Sequence, residues 1–179
     1  MAVNGGIVWI TGMPATGKTT LAAEIVQRCH RLAVAHVWLD SDDLRPYLTP
    51  GLAHESSRDV FYRAIAHVAH LAQQGGVLVI ISATAPRRDH RDDLRRRSSR
   101  FVEIHLRCAR SALRQRDIKG LYAASDAGRI AHLPGEGIPY ESPTAAELTL
   151  DTTEVVADAI AARVCGYLEE VGLLPRIAG

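Results

Sequence analysis

The stretch from residue 7 to residue 20, which reads IVWITGMPATGKTT, constrains the fold more than any other part of the chain. Its first four residues are apolar and predict a buried strand, whereas a helical pattern begins after Gly17. The loop between them matches G-x-x-x-x-G-K-[ST], a pattern in which backbone N–H groups and the start of a helix surround a phosphate. We therefore expect a strand, a phosphate-binding loop and a helix, and binding of a nucleoside triphosphate.

Two side chains of this loop have a specific chemistry. Lys18 is long enough to reach the β- and γ-phosphates, and the Thr19 hydroxyl is suited to ligate Mg²⁺. The residues predicted to bind the triphosphate in this loop are Gly12, Met13, Pro14, Ala15, Thr16, Gly17, Lys18, Thr19 and Thr20.

Apolar runs alternate with helical patterns along the rest of the chain, and this alternation predicts the fold class. The further predicted strands lie at residues 35–39, 77–81, 101–106 and 148–150. Such an alternation is typical of an α/β fold in which helices cover both faces of a mostly parallel sheet. We predict a three-layer α/β/α P-loop NTPase fold of the nucleoside-kinase type, with five strands and a single domain over residues 1–179.

Residues 117–146 interrupt this pattern. They contain Gly and Pro at many positions and show little periodicity, which predicts an irregular segment. A connection of this length in a compact domain is usually functional, so we expect it to act as a lid over the site.

Acidic residues follow the second predicted strand. Asp40 and Asp42 stand one residue apart at its end, and the carboxyl ends of parallel strands are where such folds bind ligands. If the chain stays extended there, both carboxylates face the terminal phosphate; one can hold Mg²⁺ through water and the other can orient or deprotonate an attacking hydroxyl. The alternative is a helix cap near Leu44, and both roles can coexist if Ser41 or Asp43 provides the cap.

Charge and composition exclude several classes of partner. The formal net charge is +1, which provides no overall attraction to nucleic acid or to a membrane surface. No apolar run reaches the length of a membrane span, and the N-terminus lacks a signal sequence, so we expect a cytoplasmic protein. The arginine-rich residues 87–100 predict a solvated helix face, because acidic residues at helical spacing accompany the arginines.

Two further motifs resemble those of a known family. Residues 40–45 read DSDDLR and resemble the D-G-D-N-x-R motif of adenylylsulfate (APS) kinases, and residues 116–122 read RDIKGLY and resemble their R-D-x-K-G-L-Y motif. Together with the phosphate loop, these motifs occur in the order and spacing of that family. The resemblance implies a Mg²⁺-dependent kinase of sulfate activation that transfers the γ-phosphate of ATP to the 3′-hydroxyl of adenylyl sulfate. Members often dimerise, so the resemblance also implies a homodimer.

The resemblance implies roles for individual residues. Lys18, Asp40 and Asp42 would be the catalytic residues, with Asp42 as the base or the hydroxyl-orienting group and with Thr19 and Asp40 holding Mg²⁺, partly through water. Arg116 would cover ATP. The residues implied to contact the acceptor, a nucleotide with a second anionic group, are Asp42, Arg45, Arg58, Arg88, Lys119 and Leu133.

The acceptor side departs from the family pattern. The two phenylalanines that sandwich the acceptor adenine fall near Ala53 and on Leu133, an asparagine falls on Phe61, and a serine falls on Ala85. Aromatic stacking contributes about 1–3 kcal/mol per base, so these replacements imply a changed acceptor pocket. Two alternatives therefore stay open: a kinase of another nucleotide or small-metabolite hydroxyl, and a non-catalytic nucleotide-binding protein.

Overall fold

The fold is built on one parallel sheet of five strands in the order β2-β3-β1-β4-β5. A computed structural model describes residues 5–50 and 55–176 of the chain. The strands are β1 (Gly6–Thr11), β2 (His36–Asp40), β3 (Leu78–Ser82), β4 (Phe101–Arg107) and β5 (Leu148–Asp151). The helices are α1 (Lys18–Arg31), α2 (Ser41–Leu48), α3 (Glu55–Gln74), α4 (Arg88–Arg97), α5 (Arg110–Gln115), α6 (Leu121–Asp126) and α7 (Ala157–Glu170). The predicted α/β class and its five strands are confirmed.

Helices cover both faces of the sheet, as the continuous apolar runs of its strands require. In β1, Val8 and Ile10 pack towards α1 and α7, whereas Ile7 and Trp9 pack towards α3 and α4; all four side chains are fully buried. Because β1, β2 and β3 run parallel, their carboxyl ends lie at one edge of the sheet. Within the ranges that the structure covers, no helix is both long and apolar enough to cross a bilayer.

The segment 117–146 is more ordered than its composition predicts, because it contains α6. The Asp117 carboxylate accepts hydrogen bonds from the backbone N–H groups of Leu121, Tyr122 and Ala123, which are among the unpaired donors at the start of this helix. Gly120 precedes the helix with a positive φ of 65°. The expectation of an irregular segment is therefore wrong for residues 121–126, and the Asp-x-x-Gly spacing before them was the local signal for a helix start.

The arginine-rich helix α4 is not simply a solvated face. Arg91 is only 1% exposed, and its guanidinium contacts the buried Glu103 carboxylate on β4 at 2.7 Å. It also donates to the carbonyl oxygens of Ala85 and Glu141. Burial of Glu103 inside the sheet requires a counter-charge, and Arg91 supplies it. The prediction of a solvated face holds for Arg96, whose side chain is exposed beside Asp93.

We expect Glu103→Gln to lower the free energy of unfolding by about 3 kcal/mol, because it leaves the Arg91 guanidinium buried without a counter-charge. Urea unfolding followed by circular dichroism measures this change. The matched control is Asp93→Asn, which breaks the exposed pair with Arg97 and should cost less than about 1 kcal/mol. Equal costs for the two variants would contradict the stabilising role of the buried pair.

Candidate active site

The phosphate loop connects β1 to α1, and glycine is required at both of its ends. Gly17 caps α1 with a positive φ of 92°. Gly12 has a φ of 150°, and a Cβ atom there would lie 2.4 Å from the carbonyl oxygen of Leu106. A side chain at residue 12 would therefore force the loop away from β4, which explains why the motif begins with glycine.

Lys18 lies at the first turn of α1, where its ammonium folds back over the loop. Its Nζ atom donates to the carbonyl oxygens of Gly12 at 2.9 Å and Met13 at 2.8 Å. Burial lowers the pKa of Lys18 to about 8, although the nearby carboxylates of Asp42 and Asp40 act in the opposite direction. The loop thus holds a cation whose charge is incompletely compensated and which is suited to an anionic ligand.

Asp40 is the central polar residue at the end of β2. Its Oδ1 atom accepts the backbone N–H of Asp42 at 2.8 Å and caps α2. Its Oδ2 atom accepts the hydroxyls of Thr19 at 3.0 Å and Ser82 at 2.6 Å. The expectation that Ser41 or Asp43 caps the helix is wrong, because the chain turns into α2 directly after Asp40 rather than staying extended.

The turn into α2 changes the environment of Asp42. Its carboxylate is exposed and accepts a hydrogen bond from the Lys119 ammonium, which the segment 117–146 brings across the site. This hydrogen bond is the main cause of the raised pKa of Lys119. A hydrogen bond therefore joins Asp42, at the start of α2, to Lys119, which lies 77 positions later in the chain.

One cavity of about 780 Å³ brings most of the predicted residues together. Lys18, Thr19, Asp42, Arg116 and Lys119 all line it. The other loop residues that line it are Pro14, Ala15, Thr16, Gly17 and Thr20. Because Lys18 and Asp42 face the same space, the site can hold a triphosphate beside a carboxylate.

The sequence pattern did not predict that residues 152–157, after β5, also line this cavity. Arg116 donates to the carbonyl oxygen of Thr153 at 2.8 Å and so fixes this side of the site. The available signal was their place at the carboxyl end of the last parallel strand, where ligands of such sheets bind. The carboxyl end of β3 puts Ser82 at the same edge of the sheet as Asp40, as the order of the strands predicts, but the hydrogen bond between the two residues was not predicted.

Several predicted acceptor residues do not line the cavity. Arg58 donates to the carbonyl oxygen of His132 at 2.7 Å, and the backbone N–H of Arg88 donates to the Glu141 carboxylate at 2.8 Å. Arg45, one helical turn beyond Asp42, lies over the ring of Phe61 instead. Ala53 lies outside the described residues.

Leu133 is placed differently from the prediction that it contacts the acceptor. Its side chain is only 4% exposed and packs with Leu113 and Tyr122 in a small apolar cluster. The physical reason is that α6 needs an apolar partner. Leu133 packs against it, and its side chain therefore does not reach the cavity. The loop residues Gly12 and Met13 also do not line this cavity; the Met13 carbonyl serves Lys18.

The oxygen atoms of Thr19 and Asp40 form a donor set that fits Mg²⁺. Both are hard ligands, 3.0 Å apart, at the edge of the phosphate loop. Among the described residues, no group of three or more His, Cys, Asp or Glu side chains could hold a metal ion. A Mg²⁺ ion at Thr19 and Asp40 would therefore take its remaining ligands from phosphate oxygens and water, which is the usual arrangement for this ion.

Comparison with known proteins gives a consistent picture. The sequence model of the family "Adenylylsulphate kinase" matches residues 4–151. An adenylyl-sulfate kinase of Rippkaea orientalis is 34% identical over 177 residues, covering 98% of this chain and 98% of that protein. A probable bifunctional SAT/APS kinase 2 of Sorangium cellulosum is 35% identical over 97% of this chain, which spans 30% of its length. The solved Mycobacterium tuberculosis APS kinase CysC, in complex with AMPPNP and APS, superposes with a TM-score of 0.86 at 31% identity, covering 93% of this chain and 98% of that one.

Proposed function

The chain belongs to the adenylylsulphate kinase family, and on that premise we propose that it transfers the γ-phosphate of ATP to the 3′-hydroxyl of adenylyl sulfate. The observation that supports this most directly is the shared cavity of Lys18 and Asp42, which sets a triphosphate site beside a carboxylate. Phosphoryl transfer passes through a loose transition state, so positioning and charge stabilisation account for most of the catalysis.

The donor nucleotide occupies the phosphate loop in this proposal. The backbone N–H groups before α1 and the ammonium of Lys18 bind its phosphates, since the start of a helix favours negative charge. Arg116, held by its hydrogen bond to the Thr153 carbonyl, covers the nucleotide on the side of β5. Lys18 leaves the carbonyl oxygens of Gly12 and Met13 when the phosphates arrive.

The acceptor lies on the side of α2. Asp42 orients the attacking hydroxyl and takes its proton as the hydroxyl oxygen bonds to the γ-phosphorus; the bond from that phosphorus to the bridging oxygen breaks, and ADP leaves. The segment 117–146 acts as a lid, and its Lys119 exchanges the Asp42 carboxylate for the negative charge of the substrates. Arg45 and Arg58 provide positive charge for the anionic end of the acceptor, and Arg88 and Leu133 contribute only if the lid rearranges.

Thr19 and Asp40 would hold Mg²⁺, partly through water, and Ser82 keeps the Asp40 carboxylate in place. When bound, the ion would neutralise part of the phosphate charge.

We also propose a cytoplasmic location, since ATP is the donor, and a homodimeric assembly.

The experiment measures ATP consumption by the full chain with Mg²⁺, with and without adenylyl sulfate, and identifies the nucleotide product by mass spectrometry. We expect consumption that depends on adenylyl sulfate and a product heavier by one phosphoryl group at the ribose. If only another hydroxyl compound stimulates ATP consumption, that compound and not adenylyl sulfate is the acceptor. ATP binding without turnover, over a broad panel of hydroxyl acceptors, would leave a non-catalytic nucleotide-binding protein.

ATP binding should be accompanied by proton uptake at alkaline pH. Because the pKa of Lys18 is about 8 in the free protein and the phosphate charges raise it in the complex, the lysine gains a proton on binding above pH 8. Its contribution to affinity is complete below pH 8 and decreases as the pH rises further. Calorimetry near pH 9, in buffers of different ionisation enthalpy, should show uptake of about one proton. Lys18→Met should remove this uptake; an unchanged buffer dependence in that variant would assign the proton to another group.

A further inference from the structure

We propose that Phe61 is a positioning residue that sets the orientation of the Arg45 guanidinium, and through it the recognition of the anionic end of the acceptor. This inference rests on the proposed function, since it concerns the acceptor of the same site. The guanidinium carbon of Arg45 lies 4.3 Å from the centre of the Phe61 ring, a distance at which a cation is attracted to an aromatic face.

The ring that faces Arg45 is fixed by its surroundings. Phe61 is fully buried in α3, within the cluster between the sheet and α3. The neighbouring Tyr62 ring stands edge-on to it, with 5.3 Å between ring centres. Tyr62 in turn stacks on His90, which contacts the Asp59 carboxylate at 2.7 Å. A ring held in this way cannot follow a mobile side chain, and on the proposal it is the fixed surface that orients the guanidinium lying over it.

Arg45 itself is only half-buried, and although it does not line the cavity, it lies on the same helix as Asp42, which does. It lies three residues after Asp42 on α2, and residues at this spacing share one face of a helix. In the part of the chain that the structure describes, no carboxylate forms an ion pair with the Arg45 guanidinium; the contact that holds it is the Phe61 face. Its N–H donors are therefore available for an anion, in the direct neighbourhood of the carboxylate that lines the cavity.

The physical consequence is a loss of conformational freedom before binding. A guanidinium forms two parallel hydrogen bonds to a sulfate, phosphate or carboxylate group only when its plane has the right orientation. A surface arginine must be ordered when its ligand arrives, whereas one already stacked on a fixed ring loses less entropy. In this proposal Phe61 affects acceptor affinity through Arg45, without touching the acceptor itself.

The test is a set of four proteins: wild type, Phe61→Leu, Arg45→Lys and the double variant. Phe61→Leu removes the ring, and we expect it to raise the KM for adenylyl sulfate about tenfold, equivalent to about 1.4 kcal/mol. The KM for ATP should stay within about twofold, because only acceptor binding is affected. Arg45→Lys should cost less in the Phe61→Leu background than in the wild type, since the stacked plane is already lost.

Two controls separate positioning from packing. Ile65→Val removes a methyl group from the same buried cluster, four residues along α3, and should leave the KM for adenylyl sulfate unchanged. Phe61→Tyr retains the ring and should restore wild-type acceptor KM. The contact itself is measured by NMR, as a ring-current shift of the Arg45 side-chain protons that disappears in Phe61→Leu.

The outcomes are distinct. No ring-current shift in the wild type, or additive effects of Phe61→Leu and Arg45→Lys, would overturn the positioning role. An equal rise of the KM for ATP and for adenylyl sulfate in Phe61→Leu would also overturn it and indicate general damage to the fold. A wild-type protein that makes no use of adenylyl sulfate would contradict the proposed function instead, and the NMR shift would still decide whether Phe61 holds Arg45.

Discussion

Replacement of Lys18 by Met is expected to lower kcat by about 10³-fold, the upper range for removal of one preorganised charge donor. The ammonium donates to the carbonyl oxygens of Gly12 and Met13 at the phosphate loop, and in the proposed mechanism it moves from them to the phosphates. Its interaction strengthens as negative charge develops on the leaving oxygen of ADP in the loose transition state, so we expect the loss to fall mainly on kcat rather than on ATP affinity. Single-turnover measurement of labelled phosphate transfer gives this rate directly.

The control for Lys18→Met is a measurement of the free energy of unfolding of the variant protein. The ammonium is partly desolvated, as its pKa of about 8 indicates, so its removal should change the free energy of unfolding by less than about 1 kcal/mol. Lys18→Arg is the informative second variant, since it keeps the charge but replaces a compact ammonium by a larger planar group. We expect Lys18→Arg to stay inactive; wild-type turnover in this variant would mean that charge alone suffices at this position.

Asp42→Asn is expected to retain ATP binding and to lose at least about 10²-fold in the rate of phosphoryl transfer, the lower range for general base catalysis. The substitution preserves size and removes the charge that, in the proposed mechanism, orients and deprotonates the acceptor hydroxyl. It also removes the partner of Lys119. Calorimetry with ATP and single-turnover kinetics with adenylyl sulfate separate binding from chemistry.

The neighbouring Asp43 provides the matched control. Its carboxylate lies next to Asp42 on α2 but does not line the cavity. Asp43→Asn should therefore keep nearly wild-type kinetics, although both substitutions remove one negative charge from the start of the same helix. A rate for Asp42→Asn above one tenth of the wild-type value, or equal losses in the two variants, would remove Asp42 from the role of base.

The parts of this protein that could be predicted from the sequence are those encoded by contiguous residues. The strand, loop and helix around Lys18 depend on a local apolar run, two glycines and a helical repeat, and all of these lie within residues 7–20. The five strands follow from apolar runs, because a strand in a parallel sheet is buried on both faces. The shared edge for Lys18 and Asp42 follows from the rule that parallel strands bind ligands at their carboxyl ends.

Other features were decided by the tertiary structure, because they depend on contacts between distant residues. Asp40 joins Thr19 and Ser82, which lie 21 and 42 positions away, and caps α2 at the same time. Asp40 caps α2 and is also placed to hold Mg²⁺, so the spacing of the acidic residues alone could not distinguish helix capping from metal binding. Leu133 illustrates the same limit. It packs in an apolar cluster with Leu113 and Tyr122, and so it does not line the cavity.

The sequence by itself thus determined the phosphate loop, the order of the layers and the family motifs, since short-range periodicity and the positive φ of Gly17 need no distant partner. Only the tertiary structure decided which side chain meets which: Arg91 with the buried Glu103, Lys119 with Asp42, and Arg45 with the ring of Phe61. The reason is physical. A charged or aromatic side chain is satisfied by whichever complementary group the folded backbone brings near, and that choice is not encoded at any fixed spacing along the chain.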